Sequence, residues 1–188
     1  MKKILLSGSL FIIMLTLLNG QSKLTADPEK TTLSWLGERI GSQHTGSVKL
    51  KSGWLVLQDD MITSGEFLID MTSIVDVDSI QRLITHLKSD DFFSVEKFPE
   101  SKLTILNSGS FKNGSAEVDG SLAIKGISNP IRFRAALQKK TDGTWFYANI
   151  IIDRTKYDVR YGSGTFFDNL GDRTIFDEFK IKVALLVN

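Results

Sequence analysis

The feature that most limits the fold is an alternation of apolar and polar residues that recurs, segment after segment, from Thr31 towards the C-terminus. Leu33 and Trp35 point one way, Thr32 and Ser34 the other. In PIRFRAALQ, Ile131, Phe133, Ala135 and Leu137 stand against Arg132, Arg134 and Gln138. Near the end, Phe179, Ile181, Val183 and Leu185 stand against Lys180 and Lys182. Successive side chains on a strand face opposite ways, so this period of two describes strands with one dry face and one wet face.

Between these stretches the chain reads as short connections. SVKLKSGWLVLQDD gives two short strand segments around Ser52-Gly53, a turn signal. MITSGEFLIDM places Phe67, Ile69 and Met71 on one face and Glu66 and Asp70 on the other, with Gly65 marking a bulge. KLTIL, AEVDGSLAIKG, PIRFRAALQ and TWFYANIIID follow, separated by SGSFKNG, ISNP and KTDG. The pattern breaks once, between Asp78 and Asp90. There Ile80, Leu83, Ile84 and Leu87 fall at helical spacing and Asp78 or Ser79 is placed to cap the first turn. The sum is an all-β domain of about eight strands with one short amphipathic helix. Short turns between successive strands favour antiparallel pairing. A two-sheet sandwich and a closed up-and-down barrel both satisfy the pattern; an eight-stranded barrel can hold one small ligand or be filled by its own side chains.

The N-terminus sets the expected compartment. Lys2 and Lys3 precede an apolar run from Ile4 to Leu18, and Asn19, Gly20, Gln21 and Ser22 end it. That is the layout of a secretory signal peptide, residues 1–20, with cleavage after Gly20 or Ser22. The run is shorter than the roughly 20 residues of a comfortable membrane span. The chain has no cysteine, which removes disulfides, thiol ligands and a lipid-modified cysteine from consideration. The expected product is a periplasmic or secreted domain, residues 27–188, without a stable membrane anchor. A formal net charge of +1 offers no general attraction for nucleic acid. A homodimer is left open.

Catalytic and metal chemistry find little support. His44, in a turn of GSQHTG, and His86, on the solvated side of the helix, are the only histidines, too few for a zinc site in a cysteine-free chain. The long connection from Asp153 to Phe179 carries Asp153, Asp158, Asp168, Asp172, Asp177 and Glu178, but Arg154, Lys156, Arg160 and Arg173 are interleaved with them. Such a pattern reads as loop-ordering ion pairs and turn caps. No G-x-S-x-G elbow or phosphate loop is present, so neither an enzyme nor a cofactor is expected. What stands out is aromatic residues in connectors, Phe92, Phe93, Phe166 and Phe167, which can line the mouth of a barrel or seal one end of it.

SWLGERIGSQHTGSVKLKSGWL, HLKSDDFFSVEKFPE, VDGSLAIKGISNPIRF and DRTKYDVRYGSGTFFDNLGDRTIFDEF, in that order, resemble the YceI-like family over about residues 27–187. The resemblance implies an eight-stranded antiparallel barrel of lipocalin-like shape with a helix near one opening. It also implies an apolar lipid partner, a polyisoprenoid or quinone-like amphiphile, within the barrel. On that reading the inward-facing residues are Trp35, Phe67, Ile69, Phe133, Ile151, Phe179 and Ile181, with Phe92, Phe93, Phe166 and Phe167 at the mouth. A filled barrel that acts as an interaction protein is the alternative.

Overall fold

The computed structural model describes residues 22–188; the expected signal peptide, residues 1–20, lies outside them. The strands are β1 (Ser22–Thr25), β2 (Thr32–Arg39), β3 (Ser42–Gln58), β4 (Met61–Asp76), β5 (Glu100–Ser108), β6 (Ser115–Ile124), β7 (Ile127–Lys140), β8 (Gly143–Asp153) and β9 (Glu178–Val187). One helix, α1 (Gln81–Lys88), lies between β4 and β5.

Strands β2 to β9 pair in chain order, all antiparallel, and β9 returns to β2 with Thr32 opposite Ala184 and Trp35 opposite Ile181. The sheet is therefore a closed eight-stranded barrel. Closure removes the free edges that a sandwich would have to protect. The ninth strand, β1, is a short addition that pairs with the far half of β3, Ser22 opposite Leu57 and Thr25 opposite Trp54. The barrel over the sandwich is what the family resemblance implied and periodicity left undecided.

Ser52-Gly53 is not a turn. β3 runs unbroken for 17 residues, and its register against β4 slips between Leu50 and Ser52. The extra residue is Lys51, so a bulge just before Ser52-Gly53 bends a long strand around the barrel. Gly53 faces Phe67 across the ladder, and a Cβ on Gly53 would collide with the Phe67 ring. The glycine is there for close approach, not for reversal. The slip nearer the start of β4 falls between the Ser64–Val56 and Ile62–Leu57 pairs, beside Gly65 and not at it.

The helix starts later than its periodicity suggests. Ile80 is the residue before its first turn, and neither Asp78 nor Ser79 caps it. Asp76, at the end of β4, accepts from the Ile80 amide at 3.1 Å, so the first turn is tied to the barrel wall. His44 lies on β3, not in a turn. Its Nδ1 stands 3.8 Å from Oδ2 of the buried Asp76. His86 is not fully solvated: its ring meets Tyr161 edge-on at 4.3 Å and Phe92 at 5.9 Å.

The core divides by level. One pole is closed by a packed cluster of Ala26, Phe111, Ala116 and Val187, and Leu33, Leu55, Phe67, Ile105 and Phe146 of the same cluster border the cavity described below. Phe111, in a short 3₁₀ turn (Phe111–Asn113), plugs it edge-on to Phe146 at 5.5 Å. β1 and the end of β9 close the same pole: Thr25 and Asn188 exchange backbone bonds at 2.7 and 3.0 Å, and the Asp27 amide donates to the Leu186 carbonyl. The other pole carries α1, the Phe92-Phe93 connector and the long β8–β9 loop.

Candidate functional site

The inward faces of the eight strands do not meet. They enclose a cavity of about 230 Å³ whose wall is apolar almost throughout. The wall is built by alternation. β7 contributes Ile131, Phe133 and Ala135; β9 contributes Phe179, Ile181, Val183 and Leu185; β5 contributes Ser101, Leu103 and Ile105. Phe133, Phe179 and Ile181 are only half-buried although they point inward, because they border open space. Ala135 and Ala148, registered opposite each other on β7 and β8, line the same wall, and their small side chains keep this level wide.

At the helix pole, Leu87 of α1 and the pair Phe92 and Phe93 roof the cavity. Phe93 stands edge-on to Phe92 at 5.0 Å and to Phe179 at 6.2 Å, so roof and wall share one aromatic run. Edge-to-face pairs of this kind add to the burial term and fix the rings' orientation. The lining reaches the surface between Gly37 and Glu38 of β2 and the segment Ile175, Phe176 and Glu178, which places the mouth there. Glu38 is held by Lys180 at 2.9 Å beside that mouth.

Trp35 lies on the wall near the mouth with its ring against the backbone of β3. A Cβ at Gly46, its registered partner, would strike both the Trp35 ring and the Val75 carbonyl. The indole Nε1–H donates to that carbonyl at 3.1 Å. Gly46 therefore creates the slot that Trp35 occupies.

The β8–β9 loop, residues 154–177, is packed around one side chain that the sequence reading treated as an ordinary loop cation. Arg154 is 2% exposed and lies in the cavity roof. Its Nε–H donates to the Phe176 carbonyl, Nη1 to those of Val159 and Tyr161, and Nη2 to that of Ile175, at 2.8–3.1 Å. Asp177 sits 3.4 Å from Nη2. Burial pulls the guanidinium below its ordinary pKa, and Asp177 and then Asp153 oppose that. The loop's other charges act as expected of loop-ordering groups: Arg160 pairs with Asp158, and Asp153 accepts from the Thr155 amide. Among the described residues, no three His, Asp or Glu side chains converge as a metal site would require.

The structure brings Trp35, Phe67, Ile69, Phe92, Phe93, Phe133, Phe179 and Ile181 together on the cavity surface. Three of the expected residues lie elsewhere. Ile151 points outward and is 57% exposed, opposite Lys180. In the run Ile150-Ile151-Ile152 periodicity does not choose a face; the register from Phe146 turns Ile150 and Ile152 inward. Phe166 and Phe167 are 40% and 49% exposed on the outside of the β8–β9 loop, and Phe166 is stacked under Arg160 at 5.0 Å. The mouth is lined instead by Ile175 and Phe176 of the same loop. Arg132 and Arg134 stay on the outer surface of β7, beside Asp119 and Glu117.

A closed antiparallel barrel, sealed at one pole, with an apolar lumen under a helix, is an architecture that can enclose a small ligand. The YceI-like domain profile matches residues 24–186, and the chain belongs to the YceI-like family. No curated protein sequence matches it. Among solved structures it is similar to Burkholderia cenocepacia BcnA, with a TM-score of 0.69 at 19% identity over 87% of this chain and 99% of that one. A polyisoprenoid binding domain from Saccharophagus degradans superposes with a TM-score of 0.66 at 11% identity, covering 88% and 97% of the two chains. The Campylobacter jejuni YceI protein gives 0.51 at 20% identity, covering 98% and 97%. At these identities the likeness is one of fold.

Proposed function

We propose that the protein is a periplasmic or secreted carrier that holds the apolar chain of a polyisoprenoid or quinone-like lipid in the barrel lumen, with the lipid's head group at the mouth beside Glu38 and Phe176. The observation that carries this reading is the cavity: about 230 Å³ of space under a roof of Phe92 and Phe93, lined by apolar side chains from each of β2 to β9. A barrel filled by its own side chains would have no such space. An alkyl or prenyl chain that leaves water for this wall gains about 0.8 kcal/mol per buried CH₂. Polar side chains in the lining are few, Glu38 and Glu178 at the mouth, Arg154 in the roof and Ser101 in the wall, which suits an apolar chain better than a sugar, nucleotide or peptide. The lumen, together with the polyisoprenoid binding named for the Saccharophagus domain, supports an apolar lipid as partner. Export is supported by Lys2 and Lys3 ahead of the apolar run Ile4–Leu18.

The test is mass spectrometry of an organic extract from protein purified without detergent, together with titration by an apolar fluorescent probe. A stoichiometric lipid in the extract, or saturable probe uptake quenched by Trp35, is the expected result. An empty extract together with no uptake by folded protein would refute the carrier reading.

A further inference from the structure

One wall residue does not fit a purely hydrocarbon guest. Ser101 occupies the first inward position of β5, ahead of Leu103 and Ile105, and its registered neighbour on β4 is Ile69. It is 6% exposed, and its Oγ has no hydrogen-bond partner in the protein. A buried hydroxyl without a partner is unfavourable, and alanine or valine at this position would remove that cost. The other inward positions on the flanking strands, Ile69 and Met71 on β4 and Leu122 and Ile124 on β6, are all apolar. β5 also lies across the barrel from β2 and β9, which frame the mouth. Ser101 is therefore a hydrogen-bonding group in the wall across the lumen from the residues that frame the mouth.

The geometry points to Ser101 as a specificity residue for a chain that carries its own oxygen function, a hydroxyl or carbonyl, inside the lumen. This inference rests on the lumen being the lipid site. A serine hydroxyl both donates and accepts, so either function satisfies it. Oγ is itself enclosed by the wall, so the hydroxyl meets a guest only after it turns about χ1 to another staggered position. An unsubstituted chain leaves the hydroxyl unbonded and gains only the apolar term. An oxygenated chain loses the water around its oxygen on entry and recovers a hydrogen bond only if Ser101 is present. Selection between the two chains then depends on this one side chain.

The experiment is a double-mutant cycle on the full folded domain. Dodecyl maltoside, whose sugar is too large and polar to enter the lumen, is compared below its micelle concentration with analogues bearing one hydroxyl at successive positions along the dodecyl chain. Each is titrated into the wild-type protein and Ser101→Ala. The expected result is a position at which the hydroxylated analogue loses about tenfold in affinity on Ser101→Ala, while dodecyl maltoside binds the variant equally or more tightly. Equal ratios in both proteins at every position would overturn the role of Ser101 and leave the lumen as an apolar site. No binding of any glycoside to either protein would instead refute the lumen reading itself. Ser101→Val, which also lacks the hydroxyl and fills more of the space, separates loss of the bond from a loosened wall: it must show the same loss.

Discussion

Ala148→Phe tests the lumen directly. Ala148 sits on the inward face of β8 opposite Ala135, at the level where two small side chains leave the barrel wide. A phenyl ring there has the cavity of about 230 Å³ to enter. It would take the room of about three or four methylenes of a bound chain, at about 0.8 kcal/mol each. Binding of an apolar probe should weaken by about 2.5–3 kcal/mol, close to 100-fold. The fold itself should tolerate the ring, because the ring enters open space. In a filled core, by contrast, the same substitution forces neighbours off their rotamers and costs about 1–3 kcal/mol. Isothermal titration or fluorescence gives the affinity, and a thermal melt gives the stability. Probe affinity within about twofold of wild type would refute the assignment of the lumen as binding site. A melt lowered as overpacking predicts would refute the claim that the space is open.

Three further outcomes follow from other parts of the structure. Arg154→Met removes the partner of four loop carbonyls and of Asp177, and should cost about 3–5 kcal/mol in urea unfolding, with new proteolytic cleavage within residues 160–176. Gly46→Ala drives a methyl into the Trp35 ring and the Val75 carbonyl; a loss of about 1–3 kcal/mol and a shifted Trp35 emission are expected, whereas Gly41→Ala, in the exposed turn with no atom near its Cβ, should leave that emission unchanged. Trp145 Nε1 donates to Asp142 at 3.0 Å and is the main cause holding that carboxyl below its ordinary pKa. The bond therefore favours the folded state above the ordinary carboxylate range and is lost as pH falls through the depressed value. In Trp145→Phe the Asp142 resonance should titrate at higher pH, and an unmoved midpoint would assign the shift to another group.

What the sequence alone determined is what depends on local alternation. Around Arg132 and Arg134 of β7 and Glu178, Lys180 and Lys182 of β9, charged residues alternate with apolar ones, so only one face can be dry, and Phe133, Phe179 and Ile181 fall on the inward side by position alone. The helix between β4 and β5 was legible in the same way, because its period differs from that of every neighbour. Where alternation is lost, so was the prediction. Ile150-Ile151-Ile152 offers the same side chain to both faces, and only the ladder with β9 sends Ile151 outward. Ser52-Gly53 has the composition of a turn, yet the strand continues through it, because both halves of β3 have partners, β2 and β1 on one side and β4 on the other.

The remaining features depended on residues far apart in the chain. Thr32 meets Ala184 only when the barrel closes, and a sandwich would have used the same strands. Arg154 reads as one more loop charge until the carbonyls of Val159, Tyr161, Ile175 and Phe176 converge on it. Phe166 and Phe167 are as apolar as Phe92 and Phe93, but that convergence turns Ile175 and Phe176 to the mouth and leaves the earlier pair outside. The lumen itself is a difference between the volume a closed sheet encloses and the volume its inward side chains fill. Neither quantity is a property of any one segment, so tertiary structure alone decides that the barrel is hollow.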